Sequence, residues 1–114
     1  QFDLGLPPWD HTGIVGATLD SIFDDMSASV GKAIYEKVAG QQGWEQGNNA
    51  VLIGQFQPAI VLYMSAYIHW SNSVRLYADA EMDRSLIVSI VTALNTMPMP
   101  GLAPLPQPDP FPVP

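Results

Sequence analysis

The sequence predicts an all-α protein, a small bundle of about three helices between an irregular N-terminal arm and an extended, proline-rich C-terminal arm. Three observations predict it. Apolar residues recur at three-and-four spacing over 14–39, no Gly or Pro interrupts 59–97, and eight prolines crowd the last 17 positions. A chain of 114 residues suits one domain, and the pattern divides it into an arm at 1–12, a helical domain at 13–97 and an arm at 98–114.

Residues 1–12 cannot form regular structure, because Gly5, Pro7 and Pro8 interrupt them. Phe2, Leu4, Leu6 and Trp9 give this arm apolar surface to bury on its own domain or on a neighbour. Gln1 stands where an initiator Met would, as expected after removal of a leader or when numbering starts at the first retained residue. The first apolar stretch is short and broken by prolines, so no signal peptide is expected within it.

The first helix is predicted over 14–39. Leu19, Ile22, Phe23, Met26, Val30, Ala33, Ile34 and Val38 fall on one stripe. Asp20, Asp24 and Asp25 lie toward its start and Lys37 in its last turn, matching the helix dipole. Gly40 is the expected stop. Gly31 weakens the middle by about 1 kcal/mol relative to Ala, which close packing against another backbone would explain. The stretch 40–49, GQQGWEQGNN, then has the composition of a loop, with Asn49 or Asn48 as the cap of the next helix.

Pro58 suits a first helical turn and Pro98 cannot continue a helix. Between them the pattern fits one very long helix or two. Two are expected, 59–79 and 83–97, because the apolar stripe loses phase across Asp79, Glu81 and Asp83. Ala50–Gln57 fits either an added turn, taking the second helix back to 50, or an extended segment. The final arm favours polyproline II and carries Met99, Leu102, Leu105, Phe111 and Val113, so it is expected to lie along a surface.

Composition narrows the function. Charged residues make up 13%, against about a quarter in ordinary soluble domains, so part of the surface is expected to be covered by a partner or lipid. The net charge is −7, and Lys32, Lys37, Arg75 and Arg84 are too few and scattered to neutralise phosphates. Nucleic acid and anionic membranes are disfavoured partners. Without cysteine there is no disulfide, thiolate zinc site or thiol nucleophile.

Two stretches lack Asp, Glu, Lys and Arg: the 29 residues of 46–74 and the 24 of 85–108. Their dense apolar cores are only about ten residues long, short of the roughly 20 that a spanning helix needs. A membrane-embedded hairpin is the alternative they raise.

Chemistry-bearing residues are sparse. Asp20, Asp24 and Asp25 could share a cation or supply a base, but their spacing matches no metal motif and a solvated acidic face accounts for them. His69, between Tyr67 and Trp70, is the weak candidate for ligating a haem or a pigment, although one histidine specifies no cofactor. The Gly31–Lys32 pair lacks the first Gly and the final hydroxyl of a phosphate-binding loop and lies within a helix. No nucleophile, base and orienting group assemble, so neither a metal, a cofactor nor an enzyme activity is assigned.

Tyr63, Tyr67, Trp70, Val74 and Tyr77 form a stripe whose rings combine apolar area with a polar tip, as interface anchors do. With Trp9 and Phe111 on the arms, Tyr63, Tyr67, Trp70 and Tyr77 are the expected interface residues. The expected function is a structural subunit of a larger protein oligomer, similar in style to arm-bearing virion proteins, binding subunits of the same or a neighbouring type through the Tyr/Trp face and through both arms, 1–12 and 98–114, which reach onto neighbours. The alternative is a small membrane-complex subunit, its helices 50–70 and 85–97 in or near lipid, with a pigment or haem on His69. An enzyme using Asp20–Asp25 stands third.

Overall fold

The structure, a computed structural model, describes residues 9, 11–97 and 105–111. Two long helices form a hairpin, α1 over Gly13–Leu52 and α2 over Phe56–Thr96, with no strand among the described residues. The all-α expectation holds. The three-helix bundle does not, because two of the expected breaks are absent.

The first correction concerns 40–49, which is helix rather than loop. Its glycines serve close packing. A Cβ at Gly40 would fall 3.1 Å from the Ala66 carbonyl oxygen, and one at Gly43 would fall 3.3 Å from the Ala66 Cβ. At Gly47 the same atom would lie 2.6 Å from the Tyr63 ring. The entropic cost of each helical glycine, about 1 kcal/mol relative to Ala, is set here against an approach that a Cβ would crowd. Lys37 is therefore mid-helix and does not complement a C-terminus. Gly31, expected to pack tightly, has nothing within 4 Å of a would-be Cβ.

α1 stops instead at Gly54. This residue has φ +76° and carries a paired turn: its N–H donates to the Val51 carbonyl (3.0 Å), and the Gln55 N–H donates to that of Ala50 (2.8 Å). That is a Schellman ending, with glycine at the left-handed position. The Ala59 N–H donates to the Gln55 carbonyl at 3.1 Å and opens α2, with Pro58 in the first turn, where its missing N–H costs nothing.

The second correction is that α2 does not break near 79–83; it is one helix of 41 residues. Its buried positions explain why. Ala59, Ala66, Ser73, Ala80 and Ile87 recur every seventh residue, and in α1 Leu19, Met26, Ala33, Gly40 and Gly47 do the same. Seven is the coiled-coil period. Asp79, Glu81 and Asp83 flank this row without interrupting it.

The chain divides into two compact units. Residues 30–77 form one, whose buried positions are mostly small: Ala33, Gly40, Gly47, Ala50, Ala59, Ala66 and Ser73, bounded by Val30 and Tyr77. Ser73 is fully buried, and its hydroxyl donates to the Ala33 carbonyl at 2.8 Å. The other unit, built from the residues before 30 and after 77, buries larger side chains: Leu19, Met26, Ile87 and Val91, with Ala80.

The described parts of both arms lie in this second unit, on the chain's own helices. The Trp9 indole N–H donates to Asp20 at 2.8 Å, and its ring meets Phe23 edge-on, 6.0 Å between centroids. Residues 105–111 adopt no regular structure and run back along α2. Asn95 clamps Leu105 by accepting from its N–H (2.8 Å) and donating to its carbonyl (2.9 Å). Further along, Gln107 donates to Thr92 at 2.8 Å and Arg84 to the Pro108 carbonyl at 3.3 Å. The surface these residues contact is their own α2, not a neighbour's. Phe2, Leu4, Leu6, Met99, Leu102 and Val113 lie outside the described residues.

Glycine substitutions separate packing from propensity. Gly31→Ala should raise unfolding stability by about 0.5–1 kcal/mol, since the site is open and helical. Gly40→Leu should lower it by about 1–3 kcal/mol through overpacking. Urea denaturation followed by circular dichroism measures both.

Candidate functional site: an aromatic groove

The site is built on the small residues of 30–77. Where Gly40 and Ala66 bring the two backbones together, large side chains cannot sit between the helices and must flank them. On one flank they form an open groove of about 680 Å³, floored by Gly40 and Ala66 and walled by Trp44, Tyr67 and Trp70. Lys37 and Glu45 stand at its rim.

The aromatic side chains hold one another. Trp44 packs tilted against Tyr63, with 4.4 Å between centroids, and Tyr67 against Trp70, with 5.8 Å. Tyr63 lies over Gly47, and its hydroxyl donates to the Asn48 side-chain oxygen at 2.5 Å. These contacts orient the rings without covering them: Trp44 remains 53% exposed, Tyr67 64% and Trp70 47%.

The predicted stripe therefore divides. Tyr67 and Trp70 present their rings outward and Tyr63 is half-buried beneath Trp44, whereas Tyr77 is 8% exposed and belongs to the chain's own core. Trp9 and Phe111 are both half-buried in the other unit. Trp44, which sequence reasoning assigned to a loop, is the residue it missed. Its three-residue offset from Gly47 and its four-residue offset from Gly40 were the available signal, once 40–49 is read as helix.

His69 is half-buried, and its Nδ1 shares a hydrogen bond with the Glu36 carboxylate. One ring nitrogen thus has a partner within the chain. Asp20, Asp24 and Asp25 do not act as a cluster. Hydrogen bonds from Trp9 and from His11 hold the Asp20 carboxyl below its ordinary range, while Asp24 is exposed. Asp25 instead acts on Asp83, whose carboxyl is pushed up by burial and by the negative charges of Asp25 and Asp79. Glu81 is held low by its hydrogen bonds with Arg84. Among the described residues no group of acidic and histidine side chains is placed to hold a metal ion. Among them, too, no helix is long and apolar enough to cross a membrane.

Compared with known protein families, curated proteins and solved structures, the chain matches none.

Asp83, beside Asp25 and Asp79, makes a pH prediction. A carboxyl whose folded pKa lies above its unfolded one weakens the fold as pH rises through the two values. Asp83→Asn should therefore raise the urea midpoint at pH 7 and leave it unchanged near pH 3, where the native group is already protonated.

Proposed function

We propose that the protein is an interaction subunit of a larger protein assembly and that the groove around Tyr67 and Trp70 is its principal contact. The observation that carries this reading is the outward presentation of Trp44, Tyr67 and Trp70, held in place by ring contacts on a helical hairpin. Rings already oriented lose little freedom on binding and contribute large apolar area with polar tips. Lys37 and Glu45 supply opposite charges at the rim, the arrangement that sets register in a protein contact.

The occupant favoured by this chemistry is a protein subunit, a second copy of this chain included. Two copies related by a two-fold axis could set Lys37 of each against Glu45 of the other. The described arm residues are engaged on their own helices, so the groove rather than the arms is the contact proposed. A virion or virion-like particle is one setting for such a subunit.

Sedimentation velocity tests this. The purified chain should sediment as a species above its monomer mass of 12.4 kDa, and Tyr67→Ser with Trp70→Ser should return it to monomer with helical content intact. A monomer at every concentration, or an oligomer indifferent to both substitutions, contradicts the proposal.

A further inference from the structure

At the closed end of the hairpin lies a second surface of different chemistry, which borders the groove at Tyr67 and Trp70. Leu52 and Ile53 of the turn are 83% and 70% exposed, and Phe56 beside them is 63% exposed. Along the first turns of α2, Ile60, Val61 and Met64 are also exposed. Their spacing places Val61 and Met64 on the side of α2 opposite buried Ala59 and Ala66, with Ile60 on the flank between. The outward flank of α1 alongside is polar, with Gln42, Gln46 and Asn49 exposed. The tip is thus mostly apolar on the α2 side, where Gln55 and Gln57 are the exposed amides, and amide-covered on the α1 side.

Charge decides what this surface fits. From 46 to 74 there is no Asp, Glu, Lys or Arg on either helix. A protein contact ordinarily surrounds its apolar centre with a polar rim that includes charged residues, and this tip has none until Glu45 and Arg75. An anionic membrane would call for Lys or Arg beside the apolar face. Tyr67 and Trp70 follow the apolar turns, about 16–21 Å from Phe56 along the helix. Tyr and Trp are the side chains that settle where hydrocarbon gives way to headgroups. The order along α2 is apolar end, aromatic residues, then charge.

We propose that the hairpin tip, Val51–Met64, inserts shallowly and obliquely into the surface of an uncharged bilayer, α2 side down, without crossing it. Leu52, Ile53 and Phe56 enter first, Ile60, Val61 and Met64 follow, and the amide flank of α1 stays in water. Insertion is driven by apolar area, so it is insensitive to salt.

Flotation of the full-length chain with zwitterionic phosphatidylcholine vesicles tests the proposal. The native chain should float equally at low and high salt. Leu52→Glu with Phe56→Glu should reduce the bound fraction about tenfold or more, whereas Gln42→Glu with Gln46→Glu should leave most of it. Because the chain has no cysteine, Leu52→Cys and Gln42→Cys each accept a single polarity-sensitive dye. A blue shift with vesicles at 52 and none at 42 supports the placement without relying on a loss of binding. No flotation of the native chain overturns it, as does equal flotation of both Glu variants or a shift at 42 equal to that at 52. A tip variant that changes the sedimenting mass but not flotation assigns the surface to a second copy and also overturns it. Trp44→Ser, which alters the groove but neither the tip nor Tyr67 and Trp70, should abolish the oligomer while flotation persists, and so separates this inference from the assembly role.

Discussion

The structure of residues 30–77 depends on how closely two backbones approach. Gly40 and Gly43 face Ala66, and Ser73 donates its hydroxyl to the Ala33 carbonyl across the same contact. Helices this close leave no room between them for a large side chain. Those residues therefore project to the flanks and outward, where Trp44, Tyr67, Trp70 and Met64 are found. In this unit much of the apolar mass lies outside because small residues line its seam. The exposed surface is a consequence of the packing.

The unit formed by the two chain ends handles its side chains differently. Its buried positions are Leu19, Met26, Ile87 and Val91, large enough to make a conventional core. Its polar contacts tie in flanking segments: Asp20 holds Trp9 and His11, and Asn95, Thr92 and Arg84 hold residues 105–111. Extended, proline-rich chain cannot satisfy its backbone groups internally, and side chains of α2 supply the partners that a neighbouring strand would provide elsewhere. Burial, and then the negative charges of Asp25 and Asp79, raise Asp83, so keeping it ionised costs this unit stability at neutral pH.

Much of this fold was legible in the sequence. The start of α1, the Pro58 opening and the end of α2 before Pro98 follow from local rules about periodicity and proline. The course of 40–49 was not legible by those rules. Gly40, Gly43, Gly47 and Asn48 have the composition of a turn, and only the seven-residue registration of Gly40 and Gly47 with Leu19, Met26 and Ala33 marks the segment as a seam. Tertiary contact overrode propensity there. The expected break at 79–83 failed for a related reason: a wide apolar stripe does lose phase, but the buried row is narrow and passes through Ala80. At the site, Tyr67 and Trp70 could be picked out by their spacing, Tyr77 could not be told from them, and Trp44 was hidden by the loop assignment. Which members of an aromatic stripe face inward depends on the partner helix's register, which the stripe alone does not contain.

The close approach of the two backbones requires 40–49 to be a packed helix with its glycines at the seam. Amide hydrogen exchange of this segment tests that directly. The amides of 40–49 should exchange as slowly as those of 33–39 and in the same cooperative step, because one continuous helix closes both against α2. Exchange of 40–49 at the rate of unstructured chain, beside a protected 33–39, would contradict the account.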